Sequence, residues 1–473
     1  MTGTIQPAAV RDQQPVACYG LSALQEGMLY HDQLEPGAGV DVEQYIFTIE
    51  APVDSARLRR AWQLASERYD ALRTSFRWDG DRPLQEVWPA ATIPFAVEAR
   101  SGLVPDERER YAASCLPHER SAIQLSRAPL MRVRLIRWSE SASTLIWTMH
   151  HAILDGRARS ILLRDIVAAY SGHALTPPAV QFGAQIAWLQ GRDFSTSEPF
   201  WRAYLAGVAA PTPLPAASAA ERGVPPGLPL VATRTLAPGE TAALTALAHA
   251  NGLTINVLVQ AAWALLLSRC ALTPDVIFGA VRACRHSGAA GSEAIVGLLV
   301  NTLPLRIHID EDQPLVAWLQ HVRTQWEALR DVEHTPLRAA AAWSDIAAPA
   351  PLFESLVVYE RAPFRNTIRD SIDPGDALAI RHVQQVDRTG YPLTLSVTGT
   401  DELGFRLAAA SERYAQADAE RLLDQLTAIL RAFPGPAAES VRDVALLEPA
   451  EARRIVADFN AASSYPRHAT VPE

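Results

Sequence analysis

Two adjacent histidines at the end of an apolar run are the residues of this chain best suited to chemistry. His150 and His151 follow an apolar, β-branched stretch, and Asp155 and Gly156 come shortly after them, ahead of a helical pattern. That order is typical of a strand, a turn and a helix, which would hold the imidazoles rigidly and leave one face open. Imidazole suits proton transfer near neutral pH. The stretch therefore predicts acid–base chemistry at a strand end.

The elements that position these histidines are predicted by the hydrophobic pattern on both sides of them. In the first half, strand and helix patterns alternate, which predicts an α/β layered lobe, and a similar alternation follows a Pro-, Ala-, Ser- and Gly-rich connector at 209–229. The predicted strands are 40–50, 130–138, 144–149, 275–280, 299–309, 352–359 and 393–397, with a hairpin over 76–87. The predicted helices are 23–32, one that Asp54 or Ser55 begins, 158–170, 254–270, 313–330 and 417–433.

Five further segments accompany the histidine motif along the chain. Together with HHAILDG at 150–156 they resemble, in the same order, the motifs of condensation domains from nonribosomal peptide synthetases. Those domains share HHxxxDG with the wider chloramphenicol acetyltransferase-like acyltransferases. The chain departs from the family pattern at Tyr69 and Asp70, where His and Glu are usual, and its last segment is a loose match. The segments are LSALQEGMLYH at 21–31, RYDALRTSF at 68–76, VGLLVNTLPLR at 296–306, HTPL at 334–337 and DRTGYPL at 387–393.

The resemblance implies an α/β fold with two chloramphenicol acetyltransferase-like lobes. They would form a V-shaped pseudodimer whose active site lies in a central tunnel. Residues 1–180 would form the N-terminal lobe with HHxxxDG, and residues 181–445 the C-terminal lobe. Residues 446–473 look like the linker toward an adenylation domain, so the chain is expected to be part of a larger synthetase.

The resemblance also implies roles for the histidine motif. His151 would face the tunnel and either take a proton from an attacking amine or position that amine, whereas His150 would be a structural, hydrogen-bonded residue. Asp155 would form a buried ion pair with an arginine of the second motif, with Arg73 the first choice and Arg68 the second. Removing one partner from such a pair typically costs about 3–5 kcal/mol, so this aspartate would act on stability as well as on activity.

Other candidates have a functional and a structural interpretation, and the residues alone leave both open. Gly156 could offer its backbone N–H to a reacting carbonyl, or could serve a tight turn that a Cβ would hinder. Arg159 could meet a phosphate of a carrier arm or coenzyme A, or could be a solvated residue at a helix start. Asn301 could order the tunnel wall or satisfy a strand end. Three candidates for the tunnel lining, each equally interpretable as core or cap, are Ser22, Gln25 and Tyr30.

Composition excludes several classes of protein. The chain has 473 residues, 48% of them hydrophobic and 20% charged, and its net charge of −9 argues against a nucleic-acid partner. No apolar run of membrane-spanning length and no signal-peptide pattern occur, which favours a cytoplasmic protein. No phosphate-binding loop, metal motif or cofactor motif is present, so no bound cofactor or metal is expected. The four cysteines lack metal spacing and are expected to be reduced: Cys18, Cys115, Cys270 and Cys284.

The function implied by the resemblance is acyl transfer that forms an amide. A donor acyl thioester would react with the amine of an aminoacyl group on a peptidyl carrier protein, both carried on phosphopantetheine arms. Because Met1 precedes the first motif by a short segment, the donor could also be a fatty acyl-coenzyme A, which would make this a starter domain. The alternatives are an epimerization domain, which shares HHxxxDG, and an inactive recruitment domain, although the latter usually loses part of that motif. A downstream adenylation domain is a further expected partner.

Overall fold

The computed structural model describes residues 14–80, 82–215, 228–360, 378, 380–447 and 449–459. Within those residues the chain forms sheets of three, five and six strands with helices packed on them. The two larger sheets belong to two separate hydrophobic cores, so the chain is organised as two lobes. The predicted α/β fold class is confirmed.

The first lobe combines the five-stranded and the three-stranded sheet. In spatial order the five strands are β12 (Ile380–Val386), β2 (Val42–Ile49), β7 (Ser143–His150), β6 (Met131–Arg137) and β5 (Phe95–Ala99). The smaller sheet has the order β1 (Ala17–Tyr19), β4 (Arg82–Val87) and β3 (Thr74–Asp79). Its helices are α1 (Ala23–Leu34), α2 (Ser55–Arg68), α3 (Pro105–Ser121) and α4 (Gly156–Tyr170).

Strand β7 lies in the centre of the five-stranded sheet and carries the histidines at its end. Every residue of β7 is buried, and a strand covered on both faces favours a continuous apolar run over alternation. Trp147 packs against Trp62 of α2, with ring centroids 5.3 Å apart. The antiparallel pairing of β7 with β2 places Val42 opposite His150. Main-chain pairing and core packing therefore hold the histidine-bearing end of the strand.

The second lobe is built on the six-stranded sheet. Its strands, in spatial order, are β10 (Val300–His308), β9 (Asp275–Ala283), β11 (Ser355–Glu360), β13 (Leu393–Thr398), β14 (Gly404–Ala409) and β8 (Leu230–Thr235). The helices after α4 are α5 (Phe182–Gln190), α6 (Glu198–Tyr204), α7 (Pro238–Ala250), α8 (Ile255–Ala271), α9 (Leu315–Ala328), α10 (Leu337–Ala342), α11 (Gln416–Ala432) and α12 (Pro449–Phe459).

Helix α8 forms the centre of the second core. Its residues from Val257 to Ser268 are all buried, so the helix is apolar on every side because protein surrounds it. Thr254 caps it as predicted, and its hydroxyl accepts a hydrogen bond from the Val257 N–H at 3.3 Å. Of the described helices, none is by itself long and apolar enough to cross a membrane; α7 and α8 meet that criterion only as a pair, which is bent by 103°.

The second half of the chain contributes segments to the first lobe, so the two lobes do not meet only at a surface. Strand β12 comes from the second half of the chain but pairs antiparallel with β2, with Val383 opposite Phe47. This pairing covers the edge of the first sheet, where exposed backbone groups would otherwise remain. The side chains around 295–299 also pack into the first core. The domain boundary at residue 180 stays a prediction. Segments that lie after this boundary in the chain belong to the sheet and to the core of the first lobe.

The predicted elements with strong periodicity are confirmed. The strand, turn and helix around the histidines, the hairpin over 76–87 and helix α8 all lie where the sequence pattern places them. Helix α3, helix α7, β5 and β12 were not predicted, because their apolar periodicity is weak or absent. Much of the predicted connector and of the predicted C-terminal linker, as well as Met1, lies outside the described residues.

Candidate active site

His151 occupies the junction between the central strand and the helix that follows. It begins a short 3-10 helix at the end of β7, and its backbone N–H donates to the Asp41 carbonyl at 2.7 Å. Its ring Nδ1 lies 2.7 Å from the Leu154 carbonyl oxygen, which can only accept, so Nδ1 carries the proton. The lone pair is then on Nε2. The side chain remains 25% exposed, so part of the ring is open to solvent.

His150 has the opposite environment from its neighbour. It is buried, and its Nδ1 accepts a hydrogen bond from the Ala152 N–H at 3.1 Å. Burial lowers the pKa of the His150 imidazole to about 4, because the interior disfavours the charged ring. His150 is therefore neutral near pH 7 and is hydrogen-bonded within the fold, which supports the structural role predicted for it.

Asp155 forms a buried ion pair, but with Arg285 rather than with the predicted Arg73 or Arg68. The Arg285 Nη2 lies 2.6 and 2.8 Å from the two Asp155 carboxylate oxygens. The carboxylate also accepts from the Leu299 N–H at 2.8 Å and from the Ala158 N–H at 2.8 Å. It thus caps α4 and joins it to two segments of the second lobe.

The two arginines of the second motif have other partners. Arg73 donates to the Asp70 carboxylate at 2.6 Å and to the Ser66 carbonyl at 3.0 Å. Arg68 lies 3.1 Å from the carboxylate of Asp165. Both arginines therefore tie α2 to neighbouring segments of the first lobe. The prediction of a pair with Asp155 was wrong, because each arginine lies against a carboxylate of the first lobe instead.

The structure gives a steric reason for Gly156 rather than an unusual backbone conformation. It is the first residue of α4 and is not among the glycines with positive φ, so the predicted turn conformation is not observed. A Cβ placed on it would collide with the Glu360 Oε1. The second lobe therefore brings a carboxylate against the start of α4. A role of the Gly156 N–H toward a reacting carbonyl stays a prediction.

Arg159 lies at the centre of a cluster of charged groups beside His151. Its guanidinium donates to Glu43 Oε2 at 2.7 Å and to Glu360 Oε1 at 3.1 Å. Its carbon Cζ lies 5.4 Å from the centre of the Tyr45 ring. Arg159 is buried, so the interpretation as a solvated helix-start residue is wrong. A phosphate could reach this arginine only by displacing a carboxylate.

The carboxylates of this cluster influence the active-site histidine. Glu43 Oε1 lies 3.8 Å from His151 Nδ1, within the range of a direct electrostatic interaction. Burial raises the pKa of the Glu360 carboxyl, and the nearby Arg159 partly offsets that effect. Neither glutamate was predicted. A carboxylate in an otherwise buried strand pattern, as at Glu43 in β2, is the signal that could have found the first of them.

The four remaining candidate residues have different positions and contacts in the structure. Gln25 donates from Nε2 to the Ala152 carbonyl at 2.9 Å and so ties α1 to the 3-10 helix of His151. Ser22 is the N-cap of α1 and shares a capping box with Gln25. Tyr30 is 57% exposed on the same helix. Asn301 donates to the Glu333 and Thr335 carbonyls, both at 2.9 Å, and so holds the HTPL segment to β10. Their roles as tunnel lining stay predictions.

A cavity of about 230 Å³ opens between the end of α1 and the second-lobe loop that precedes β13. His31 and Val40 line it from the first lobe, and Arg388 and Tyr391 line it from the second. Within the described residues, no group of three or more His, Cys, Asp or Glu side chains is arranged to hold a metal ion.

Comparison with known proteins identifies relatives along the chain. A family model described as "Condensation domain" matches residues 17–456. A linear gramicidin synthase polypeptide of Brevibacillus parabrevis is 34% identical over 463 residues, which cover 96% of this chain and 6% of that protein. Chondramide synthase cmdD of Chondromyces crocatus is 34% identical over 374 residues, or 76% of this chain and 9% of that protein. The chain therefore spans only a small part of the length of these relatives.

Solved structures agree on the fold. The first condensation domain of the calcium-dependent antibiotic synthetase, in complex with a substrate analogue, has a TM-score of 0.74 at 19% identity and covers 92% of this chain and 100% of its own. The starter condensation domain of rhizomide synthetase RzmA, a mutant in complex with C8-CoA and Leu-SNAC, has a TM-score of 0.75 at 18% identity. The match covers 91% of this chain and 98% of that one. Because the family model matches almost the whole described chain and the linear gramicidin synthase polypeptide is 34% identical over 96% of it, the chain belongs to the condensation domain family of nonribosomal peptide synthetases.

Proposed function

We propose that the chain catalyses amide-bond formation between a donor acyl thioester and the amine of an acceptor aminoacyl group. The observation that carries this proposal is the hydrogen bond of His151 Nδ1 to Leu154, which leaves the lone pair of the neutral, partly exposed ring on Nε2 at the end of β7. A neutral imidazole of this kind can accept a proton from an amine, or can hold the amine by a hydrogen bond, during attack on a carbonyl.

In the proposed reaction the acceptor nitrogen attacks the thioester carbonyl carbon. The new C–N bond forms as the C–S bond breaks, the amine gives up one proton that is passed on to the leaving sulfur, and the carrier or coenzyme A that held the donor leaves as a thiol. When His151 takes that proton, its ring becomes positive. The carboxylate of Glu43, 3.8 Å from Nδ1, would then offset the new charge. Asp155, held by Arg285, keeps the start of α4 in place beneath the reacting groups.

The substrates proposed are an acceptor on a peptidyl carrier protein and a donor on a second carrier or on coenzyme A, each joined through phosphopantetheine. The relatives support this class of substrate because they are peptide synthases, and one structural neighbour holds C8-CoA together with an aminoacyl thioester analogue. An adenylation domain in the same synthetase is the proposed source of the activated acceptor. The fatty-acyl donor remains the alternative to a carrier-bound donor.

The first test replaces the histidine. His151→Ala should abolish formation of the amide from a carrier-bound donor and acceptor while the thermal midpoint stays within about 2 °C of the original, because the ring is partly exposed and not a core residue. His173→Ala, at an exposed histidine on the same lobe, is the matched control and should retain full activity. Product formation near the original rate in His151→Ala would remove the histidine from the chemistry.

The second test distinguishes the donors. Unaltered protein is supplied with an acceptor aminoacyl carrier and either an acyl carrier or octanoyl-coenzyme A, and the N-acylated product is measured by mass spectrometry. Product from octanoyl-coenzyme A alone supports a starter domain, and product from the carrier alone supports an internal condensation domain. If neither donor reacts and the α-proton of the acceptor exchanges with deuterium, epimerization replaces condensation as the function.

A further inference from the structure

Asp41 has an unusual backbone conformation at the entry to β2. Its φ angle is +61°, and only one other non-glycine residue in the described part of the chain has a positive φ. A non-glycine residue in this region is strained, and it persists only where its surroundings impose it. Aspartate tolerates the conformation better than most residues because its short side chain can make local hydrogen bonds. The contacts that surround Asp41 are therefore the place to look for its role.

Three hydrogen bonds connect Asp41 to three different parts of the molecule. Its carbonyl accepts from the N–H of His151 at 2.7 Å, and its own N–H donates to the Arg388 carbonyl at 2.9 Å. Its carboxylate Oδ2 lies 2.9 Å from His31 Nδ1 near the end of α1. The left-handed conformation points the N–H and the carbonyl toward these separate partners. Asp41 thus links the active-site histidine with the second lobe and with α1.

The second-lobe partner is the loop 387–392, which packs against the same group. The Arg388 guanidinium binds Glu35 at 3.1 Å, close to the C-terminal end of α1. A Cβ on Gly390 would lie 2.7 Å from the His31 ring, so the loop and the ring are in close contact. Tyr391 stacks on Phe353 of the second core, with ring centroids 5.5 Å apart. The loop is therefore anchored in the second lobe and contacts both Asp41 and its histidine partner.

We propose that Asp41 is a positioning residue that transmits the placement of loop 387–392 to the catalytic histidine, an inference that rests on the proposed function. The His151 ring is fixed by Leu154 on one side, and its backbone is fixed by Asp41 on the other. A displacement of Asp41 moves the start of the 3-10 helix and with it Nε2. Misplacement of a reacting group by about 1 Å can cost about 100-fold in rate.

Substitutions of Asp41 separate its backbone role from its side-chain role. Asp41→Ala disfavours the left-handed conformation and should lower kcat about tenfold while KM for either substrate changes less than about twofold. Asp41→Gly keeps that conformation and should lower kcat only about twofold. Asp41→Asn keeps the conformation and an acceptor for His31, so it should restore nearly full activity. Gly37→Ala is the matched control, because it strains the same loop at a φ of +74° with open space around it.

A second measurement does not depend on catalysis. Hydrogen exchange of the His151 amide, followed in protein labelled with ¹⁵N-histidine, reports its hydrogen bond to Asp41 directly. Exchange should be at least about threefold faster in Asp41→Ala and in Gly390→Ala, whose Cβ pushes the His31 ring away. Gly27→Ala, which adds a Cβ into open space on α1, should leave the exchange rate unchanged.

The two readouts separate failure of this inference from failure of the proposed function. Absence of amide synthesis in the unaltered protein removes the proposed function, and the exchange rates still test the link from the loop to His151. The inference is overturned if Asp41→Ala and Gly390→Ala leave that exchange rate unchanged. It is overturned equally if Asp41→Gly loses as much activity as Asp41→Ala, because the conformation of the backbone would then be irrelevant.

Discussion

Two arginine–carboxylate clusters join the lobes on either side of the start of α4, and they differ in how completely they are closed. In the first, Arg285 and Asp155 have side chains only 4% and 1% exposed. In the second, Arg159 is equally buried, but it lies between Glu43 and a Glu360 side chain that is 32% exposed. Both bridge the same helix and the second lobe. Only the second adjoins the accessible ring of His151.

The difference in closure indicates a difference in role. Arg285 Nη1 donates to the Ser292 and Ile295 carbonyls at 2.9 and 2.8 Å, and Asp155 accepts two backbone N–H groups besides the arginine. A buried pair satisfied in this way is costly to break, because a lone charge would remain in the interior. The Arg159 cluster includes the Glu360 side chain, which is about one-third exposed, so the geometry of the cluster can change at lower cost. We therefore assign stability chiefly to the closed cluster and influence on the chemistry to the open one.

Breaking the closed cluster should have the largest effect. Arg285→Met leaves Asp155 buried and unpaired, and we expect a loss of about 3–5 kcal/mol in the free energy of unfolding, measured by urea denaturation. A double-mutant cycle with Asp155→Asn should give a coupling energy of at least about 1 kcal/mol. The same cycle between Arg73→Met and Asp155→Asn should give a coupling near zero, because Arg73 binds Asp70 instead. Strong coupling to Arg73 would contradict the observed pairing.

The difference between Arg285 and Arg73 also shows what the sequence could and could not predict. The strand, the turn and the helix around His151 are local, so periodicity and the family motif located them correctly. The partner of Asp155 lies 130 residues away, in the turn after β9. No periodicity marks such a residue, and a family motif predicts a pair only between segments that it contains. Long-range charge pairing therefore required the three-dimensional structure.

A similar limit applies to Gly156 and to β12. The motif marked Gly156 as a candidate for an N–H donor or a tight turn, but the steric contact that the structure shows, with the Glu360 carboxylate, comes from a distant strand of the other lobe. Strand β12 is polar and half exposed, so its pattern carries little signal, and its place in the first sheet follows from its pairing with β2. The sequence thus predicted the local frame of the site, whereas the contributions of the second lobe to that site were missed.

Acid provides a way to weaken the first lobe without changing either arginine. Burial holds the pKa of His150 at about 4 against 6.5 for an ordinary histidine. Below pH 6.5 the unfolded chain therefore binds a proton that the folded chain refuses, so stability falls as the pH decreases from 6.5 toward 4 and is fully present above that window. The contribution is on the order of 2 kcal/mol between pH 7.5 and 5.

The check is urea unfolding of the original protein and of His150→Asn at several pH values. The asparagine oxygen can still accept the Ala152 N–H, and it does not titrate. The stability difference between the two proteins should be constant above about pH 7 and should shrink as the pH falls to 5. Parallel curves over this range would show that His150 takes up its proton without cost, and His150 would then not belong with the groups that stabilise the fold.

The smallest expected effect tests the open cluster through Gly156. In Gly156→Ala the new methyl group meets Glu360 Oε1, the far end of a flexible side chain, so the carboxylate should move away from Arg159 at a cost of about 1 kcal/mol or less. The move shifts a negative charge beside His151. We therefore expect the rise in activation free energy, calculated from kcat, to exceed the loss in the free energy of unfolding. Glu360→Ala makes room for the methyl group, and adding Gly156→Ala to it should cost nothing further in either measurement. If Gly156→Ala is equally harmful in both backgrounds, the contact with Glu360 is not the reason for the glycine, and a direct role of the backbone at that position becomes the better explanation.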